Sequence, residues 1–444
     1  MSINNENENP LGYKNEGKLL VGFAIPCIIS MLVTALYNIV DQVFIGQGIG
    51  MLGNAATNIA FPLSTTCTAI SLLLGIGCAT NYSLHLGAGE KKESEKYAGN
   101  GIILMAIMGI FLFLITTIFL TPMLKFFGAT PDVLPYAEAY TRITAIGFPF
   151  LIANTGMSKL ILADGSPNYS MTSMLIGAIV NTILDPVFIF VFKMGMTGAA
   201  LATFLGLLLS FVMGVVYFVT HPNFLHFTFH GLSIKEAFHS MVNGTSEFVN
   251  QLAIAITTVV FNRSALLFAG EDGVAAVSII MYLQFLCIGI YFGFSMGLST
   301  PLGYAYGDRN FSVCRVLEKY AYRFFAIAPI ILYGCTYLLA PIGVRFFASP
   351  GSTVFDMAVS GLRLYGLGFL FSGINIFAAI RMMTYGKGYI SGMITFLRSF
   401  ALLLLFLTVL PRFLELNGIW LAVPAAEILT LIVALWTLRK KTVV

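Results

Sequence analysis

The sequence predicts an all-α integral membrane protein, with twelve transmembrane helices in two six-helix lobes related by a pseudo-twofold axis along the membrane normal. Three observations carry that expectation. Of 444 residues, 58% are hydrophobic and 10% charged, with mean hydropathy +0.87, more apolar surface than a water-soluble core can hide. Apolar stretches of about 20 residues or more recur along the whole chain, each enough to cross roughly 30 Å of hydrocarbon as a helix. The chain also echoes itself. With a shift of about 221 residues, Arg142 falls on Arg363, Gly147 on Gly368, Asn154 on Asn375 and Gly165 on Gly386. Nearby shifts join Gly75 to Gly293, Gly89-Glu90-Lys91 to Gly307-Asp308-Arg309, and Gly198 to Gly418. Six spans per half is an even number, so both halves enter from the same side, as in parallel-repeat transporters.

The spans are expected, in order, at 19–45, 52–80, 97–119, 134–160, 168–191, 197–219, 239–268, 274–303, 316–340, 355–384, 389–410 and 418–437. The first contains Pro26, which removes a backbone hydrogen bond and makes that helix bendable, a hinge about 22 Å below Asp41 at 1.5 Å per residue. Glycines in the second and eighth spans (Gly75, Gly77; Gly289, Gly293, Gly297) and Pro149 in the fourth offer further close-packed or flexible points. The domain boundaries follow: a cytoplasmic tail 1–18, an amino-terminal lobe 19–219, a cytoplasmic linker 220–238, a carboxy-terminal lobe 239–438 and a tail 439–444.

Positive charge orients these spans. With the polar amino-terminal tail inside, only Lys125, Lys193, Arg345 and Arg412 lie outside, Arg142, Arg263, Arg363 and Arg398 lie within spans, and the remaining sixteen of 24 Lys and Arg are cytoplasmic. This is the positive-inside pattern with both termini cytoplasmic. The net charge of +4 therefore reads as topology, and no basic, aromatic-interleaved patch points to nucleic acid. The tail has no signal-peptide pattern. The six cysteines have no Cys-x-x-Cys pair and are expected as small apolar residues or reduced thiols. His226 and His230 have the i, i+4 spacing of metal ligands, but no third ligand supports them and the linker reads as solvated, with no metal site. Gly87-Ala88-Gly89-Glu90-Lys91-Lys92 lacks the phosphate-loop spacing and follows a membrane helix. There is no catalytic Ser/His cluster and no channel filter motif, so an enzyme is not expected.

The echo loses two carboxylates. Asp41 falls on Asn262 and Asp185 on Phe406, so the halves share a scaffold and differ in chemistry. Tyr37 and Asp41 share a helix face, as do Asn181 and Asp185. An ionisable group inside a membrane helix costs at least about 2.5–3.5 kcal/mol on insertion scales, which makes its default reading functional. A carboxylate moving between dry and wet surroundings can load and release a proton; with amide and hydroxyl oxygens it can instead cage Na⁺. Arg142 and Arg363 are expected to snorkel or cap. Glu427 is expected to pair with Arg398, and Glu247 has no acidic mate in the first half.

These residues resemble the multidrug and toxic compound extrusion (MATE) family over about 18–438. The resemblance rests on the Pro-containing first span leading to Asp41 and Gly46, Asn181-x-x-x-Asp185-Pro186, Gly198-Ala199-Ala200-Leu201-Ala202-Thr203 and Gly297-x-x-x-Pro301-x-x-Tyr304-x-x-Gly307. The acidic pair in the first half is similar to the DinF-like branch. That resemblance implies a coupling-ion site of Asp41, Tyr140, Asn154, Asn181, Asp185 and Thr203, and a central cavity to which Tyr37, Asn38, Met281 and Gln284 contribute. It further implies a secondary antiporter that exports amphipathic, often cationic, organic compounds in exchange for H⁺ or Na⁺ by alternating access. No cofactor is expected; the partners are small organic substrates and the lipid bilayer of the cell (inner) membrane, around a monomer. The alternative is a lipid-linked saccharide flippase, whose pyrophosphate would call for several cavity cations.

Overall fold

The computed structural model describes residues 9–12, 15–220, 222–225 and 233–439; the rest of both tails and the linker residues His221, His226 and His230 lie outside them. Every regular element is helical: α1 (Glu16–Gly48), α2 (Met51–Gly87), α3 (Lys91–Ile118), the short α4 (Leu120–Phe126), α5 (Leu134–Ala163), α6 (Pro167–Pro186), α7 (Gly195–Thr220), α8 (Ile234–Gly307), α9 (Phe311–Arg345), α10 (Thr353–Tyr365), α11 (Phe369–Thr384), α12 (Gly388–Phe396), α13 (Leu402–Val409) and α14 (Pro411–Arg439). Gly270, with φ 60° and ψ −151°, breaks α8 into two arms. A 3-10 turn joins α10 to α11 and a π turn joins α12 to α13. Twelve membrane-length helices result among the described residues, at the positions expected. Asn310 caps α9 by accepting from the Val313 N–H (3.3 Å), and Ser352 caps α10 by accepting from Phe355 (3.2 Å).

The repeat is visible in backbone geometry. After α5, Gly165 takes φ 90° and Ser166 N donates to Ile161 O; after α11, Gly386 takes φ 71° and Lys387 N donates to Met382 O. Both turns need the left-handed region that glycine enters without penalty. The turn after α2 corrects the expected register there. Gly89 (φ 77°) is matched by Arg309 (φ 55°), since Glu90 N donates to His85 O as Asn310 N donates to Ala305 O. The shift is thus 220, placing Gly77 on Gly297 and Gly87 on Gly307. The sequence pairing was two residues off because several glycines in each span align equally well.

The chain divides into two compact units: residues 32–244 with 9–12 and 307–309, and residues 15–31 with 245–306 and 310–439. The division cuts α1 after Met31 and α8 after Gly244, whereas the sequence suggested whole first and seventh spans in their own lobes. Close helix crossings explain where the cuts fall. Within the first unit, a Cβ on Gly77 would stand 1.8 Å from Ser240 O, and one on Gly244 1.8 Å from Leu73 O. Asn243 Nδ2 donates to Asn81 Oδ1 (2.8 Å) beside this crossing. Within the second unit, a Cβ on Gly293 would meet Ile28 Cα and one on Gly297 Ala24 Cα, each at 2.6 Å. Contact this close needs glycine, and in a membrane it is van der Waals packing and interhelical hydrogen bonds that hold helices together.

Each unit is built around its fourth span. The apolar window of α5 is 72% buried and that of α10–α11 78%, against 22% for α3 and 17% for α9. In the first unit Leu63, Cys67, Leu74, Met105, Phe148 and Ile152 form the core where α2, α3 and α5 meet. There Gly75 lies against Gly156, and Ser71 Oγ donates to Ile152 O at 2.9 Å. In the second, Tyr291, Phe294, Phe324, Phe325 and Phe377 stack together, with Tyr291 Oη donating to Phe369 O at 3.0 Å. Among the described residues, which include all six cysteines, there is no disulfide.

Gly77→Val and Gly244→Val are expected to lower the thermal stability of the purified protein by about 3 kcal/mol or more, since a backbone carbonyl blocks each new side chain. Gly334→Ala, whose Cβ would meet nothing within 4 Å, is the control and should be neutral or slightly stabilising.

Candidate functional site

The first unit gathers its intramembrane acids where α1, α5, α6 and α7 meet. Asp41 comes from the second half of α1. Asp185 ends α6 before Pro186, whose missing N–H weakens the regular ladder; a π turn over Val187–Val191 follows, with Phe192 N donating to Val187 O at 2.9 Å. Such turns recur at functional sites. The Asp41 and Asp185 carboxyls lie within hydrogen-bonding reach of each other. Asp185 is fully buried. The Tyr37 phenol lies within the electrostatic field of both acids, and the Tyr140 phenol within that of Asp41 and within hydrogen-bonding reach of Thr203. Asn181 Nδ2 donates to Thr203 Oγ1 (3.4 Å), which itself donates to Ala199 O (3.1 Å).

The site is rich in acceptors and poor in donors. Asp41 Oδ1, both Asp185 oxygens and Asn181 Oδ1 are buried without an N–H or O–H from another described residue. Buried polar atoms are nearly always satisfied, and two negative carboxylates at contact in a water-poor interior repel strongly. The arrangement therefore calls for a positive charge, either a proton shared between the acids or a cation held among the oxygens.

Five of the six expected ion-site residues besides Tyr37 thus come together: Asp41, Tyr140, Asn181, Asp185 and Thr203. Asn154, the sixth, is buried on α5 fourteen residues after Tyr140, about 21 Å along the helix axis. Among the described residues no hydrogen bond joins it to the acids, and it lies further along α5 from their level. Of the expected substrate-contact residues, Asn38 turns its Nδ2 back to Thr34 O (2.8 Å), Met281 is half-buried, and Gln284 accepts from the Tyr365 hydroxyl. Pro26 lies inside α1, its carbonyl accepting from Ser30 Oγ at 2.9 Å.

The second unit answers its acids internally. Arg398 Nε donates to Glu427 Oε1 and Asn375 Nδ2 to Glu427 Oε2, both at 2.7 Å, so the expected pair is formed. Glu247 is buried beside Asn250 (Nδ2 to Oε2, 3.5 Å), and Asn250 accepts from Ser399 (3.1 Å). Arg363 lies 4.8 Å over the Tyr337 ring and donates to Tyr337 O, a structural role.

Two clusters were not anticipated. Asp164, fully buried after α5, accepts from Tyr82 and Tyr217 hydroxyls (2.7 Å each) and from the backbone N–H groups of Asn223 (2.8 Å), Phe224 and Leu225 (3.0 Å each). It ties the start of the linker to the first unit. Arg381, counted as a cytoplasmic loop charge, is instead buried in α11, where it donates to Glu318, which also accepts from Tyr385 (2.5 Å). An acid at a helix carboxy-terminal end, where the dipole disfavours negative charge, was the available signal for Asp164.

A twelve-helix membrane fold with paired carboxylates in one half and an internally paired acid in the other defines a membrane transporter built from a divergent repeat. The MatE family model matches residues 26–187 and again 246–410, and the chain belongs to that family. It is 25% identical over 368 residues to the multidrug export protein MepA of Staphylococcus saprophyticus, covering 80% of each. Its fold is shared with a multidrug resistance MATE family transporter solved in an outward-facing conformation (TM-score 0.90, 23% identity, 97% of each chain). It is shared equally with a MOP superfamily transporter from Pyrococcus furiosus described as having a binding pocket of reverse polarity (TM-score 0.90, 24% identity, 97% of each chain). The protein is accordingly a multi-pass membrane transporter of the MatE family.

Tyr82→Phe removes one charge-assisted hydrogen bond to Asp164 and is expected to cost about 1.5–3 kcal/mol. Thermal unfolding, together with faster protease cleavage of the linker near Asn223, measures it.

Proposed function

We propose that the protein is a secondary antiporter that exports amphipathic, often cationic, organic compounds in exchange for H⁺ or Na⁺. The single observation that carries this is the set of four buried, donor-less oxygens on Asp41, Asp185 and Asn181, a built site for one positive charge. Multidrug export is the activity named for MepA, and that name supports the substrate class. An acidic pair in the first half is the reason to place the chain in the DinF-like branch. Loading the pair from one side and releasing it to the other couples the ion gradient to alternating access, with Pro26 as the point where α1 bends. Tyr37, Asn38, Met281 and Gln284 are the proposed substrate contacts, in a monomer with both termini cytoplasmic.

The flippase alternative needs free intramembrane cations for a pyrophosphate. Arg398 is committed to Glu427 and Arg363 to Tyr337, which favours drug export.

Asp41→Asn and Asp185→Asn are each expected to abolish gradient-driven export while leaving insertion intact, and the double variant to be hardly worse than either single one. Proteoliposomes with pH and Na⁺ gradients imposed separately measure this and identify the ion. Normal transport in either single variant overturns the shared site. In the same assay Glu247→Gln is expected to change rate or substrate range modestly and to retain gradient dependence; loss of coupling there, with Asp41→Asn unaffected, moves the ion site to the second unit.

A further inference from the structure

We infer that Arg398 is a built-in cation, doing permanently in the second unit what a mobile ion does in the first, and that its removal would open a latent cation site on Glu427 and Asn375. The inference rests on the coupling reading for that contrast alone; the chemistry of the Arg398 cluster is independent of it.

The argument from register is direct. At the 221-residue shift Arg398 falls on Gly177, and Asn375 on Asn154. In the last span of each half, where the shift is 220, Ala426 falls on Gly206 and Glu427 on Leu207. In the first unit Gly177 and Gly206 make a bare backbone crossing of α6 and α7: a Cβ on Gly206 would stand 2.7 Å from Gly177 O. The second unit places a guanidinium and a carboxylate at this level instead. Gly177 precedes Asn181 by four residues and Leu207 follows Thr203 by four, so the charged centre of the second unit lies one helical turn, about 6 Å, from the level of Asn181 and Thr203, and two turns, about 12 Å, from that of Asp185. Asn375, the third member of the cluster, is the repeat mate of Asn154.

Charge accounting separates the two centres. Both Glu427 oxygens are answered, one by Arg398 Nε and one by Asn375 Nδ2, which also donates to Glu427 O at 2.8 Å. Neither Asp185 oxygen is answered. The Arg398 and Glu427 side chains are only 16% and 5% exposed, so each is the other's main counter-charge. Among the described residues the phenols of Tyr291 and Tyr365 also lie near Glu427, and they carry no charge at neutral pH. Asn375 Oδ1 is buried and accepts nothing. Deleting the guanidinium would leave a carboxylate and a free amide oxygen together, the donor set of a proton or Na⁺ site. With Arg398 present the cluster cannot gain or lose a charge during the cycle, which confines ion exchange to the first unit.

The test compares full-length wild type, Arg398→Met, and the charge-neutral double variant Arg398→Met/Glu427→Gln, purified in lipid nanodiscs. Arg398→Met is expected to unfold at lower temperature and to recover much of that loss when pH is lowered or Na⁺ is added, because an ion that binds only the folded state stabilises it. The double variant should show the wild type's pH and Na⁺ dependence. An Arg398→Met protein whose melting temperature responds to neither ion more than wild type overturns the latent site. If that variant fails to fold, transport by the double variant decides: an unchanged ion-to-substrate ratio supports the inference, and a lower ratio overturns it by showing that the pair itself carries an ion. Asp41→Asn variants report on the coupling reading separately, so the two can fail independently.

Discussion

A carboxylate enclosed in a membrane protein must be met by positive charge or by hydrogen-bond donors, and this protein meets that constraint in three ways. Asp164 receives two hydroxyls and three main-chain amides. Glu318 and Glu427 receive arginines. Asp41 and Asp185 receive neither, and face each other. The first two solutions fix structure, because removing a partner from a desolvated carboxylate is strongly unfavourable. The third leaves the charge to be completed from outside, which is the property a coupled transporter exploits.

A duplicated scaffold has been divided between these solutions. The backbone keeps the shared features: the positive-φ turns at Gly165 and Gly386, the buried fourth span of each half, and close glycine crossings at Gly77 and Gly297. Chemistry has moved around it. Asp41 and Asp185 are matched by Asn262 and Phe406, while Gly177 is matched by Arg398. Symmetry in the frame and asymmetry in charge are compatible because helix packing in lipid depends on shape and interhelical hydrogen bonds more than on apolar burial.

The spans were legible in the sequence because hydrophobic length alone sets them, and the observed helices start and end within seven residues of the expected ones. The pairing of Asp41 with Asp185, and of Arg398 with Glu427, was legible because intramembrane charge is costly and must find a partner. Other features needed three dimensions. The short α4 is too brief to leave a periodic signal, and the π turns depend on local ladder geometry. The two-residue register error arose because glycine spacing is degenerate while turn dihedrals are not. Asn154 was grouped with Tyr140 by family position, although the rise of one helix separates them. Arg381 looked like a loop cation because the sequence does not show that α9 brings Glu318 to it.

The strap at Asp164 has a consequence for how this chain can vary. Three of its five contacts are main-chain N–H groups of Asn223, Phe224 and Leu225, donors that every residue except proline supplies. The Asp164 carboxylate therefore reads the path of the chain and not the identity of Phe224, whereas the buried Leu225 side chain and Asn223 Nδ2, which donates to Asp164 O and Ser166 Oγ, have contacts of their own. Point changes at Phe224 can accumulate silently, whereas losing one residue between the end of α7 at Thr220 and Asn223 would shift every amide out of place. At the start of the linker, chain length is the quantity that the Asp164 carboxylate reads.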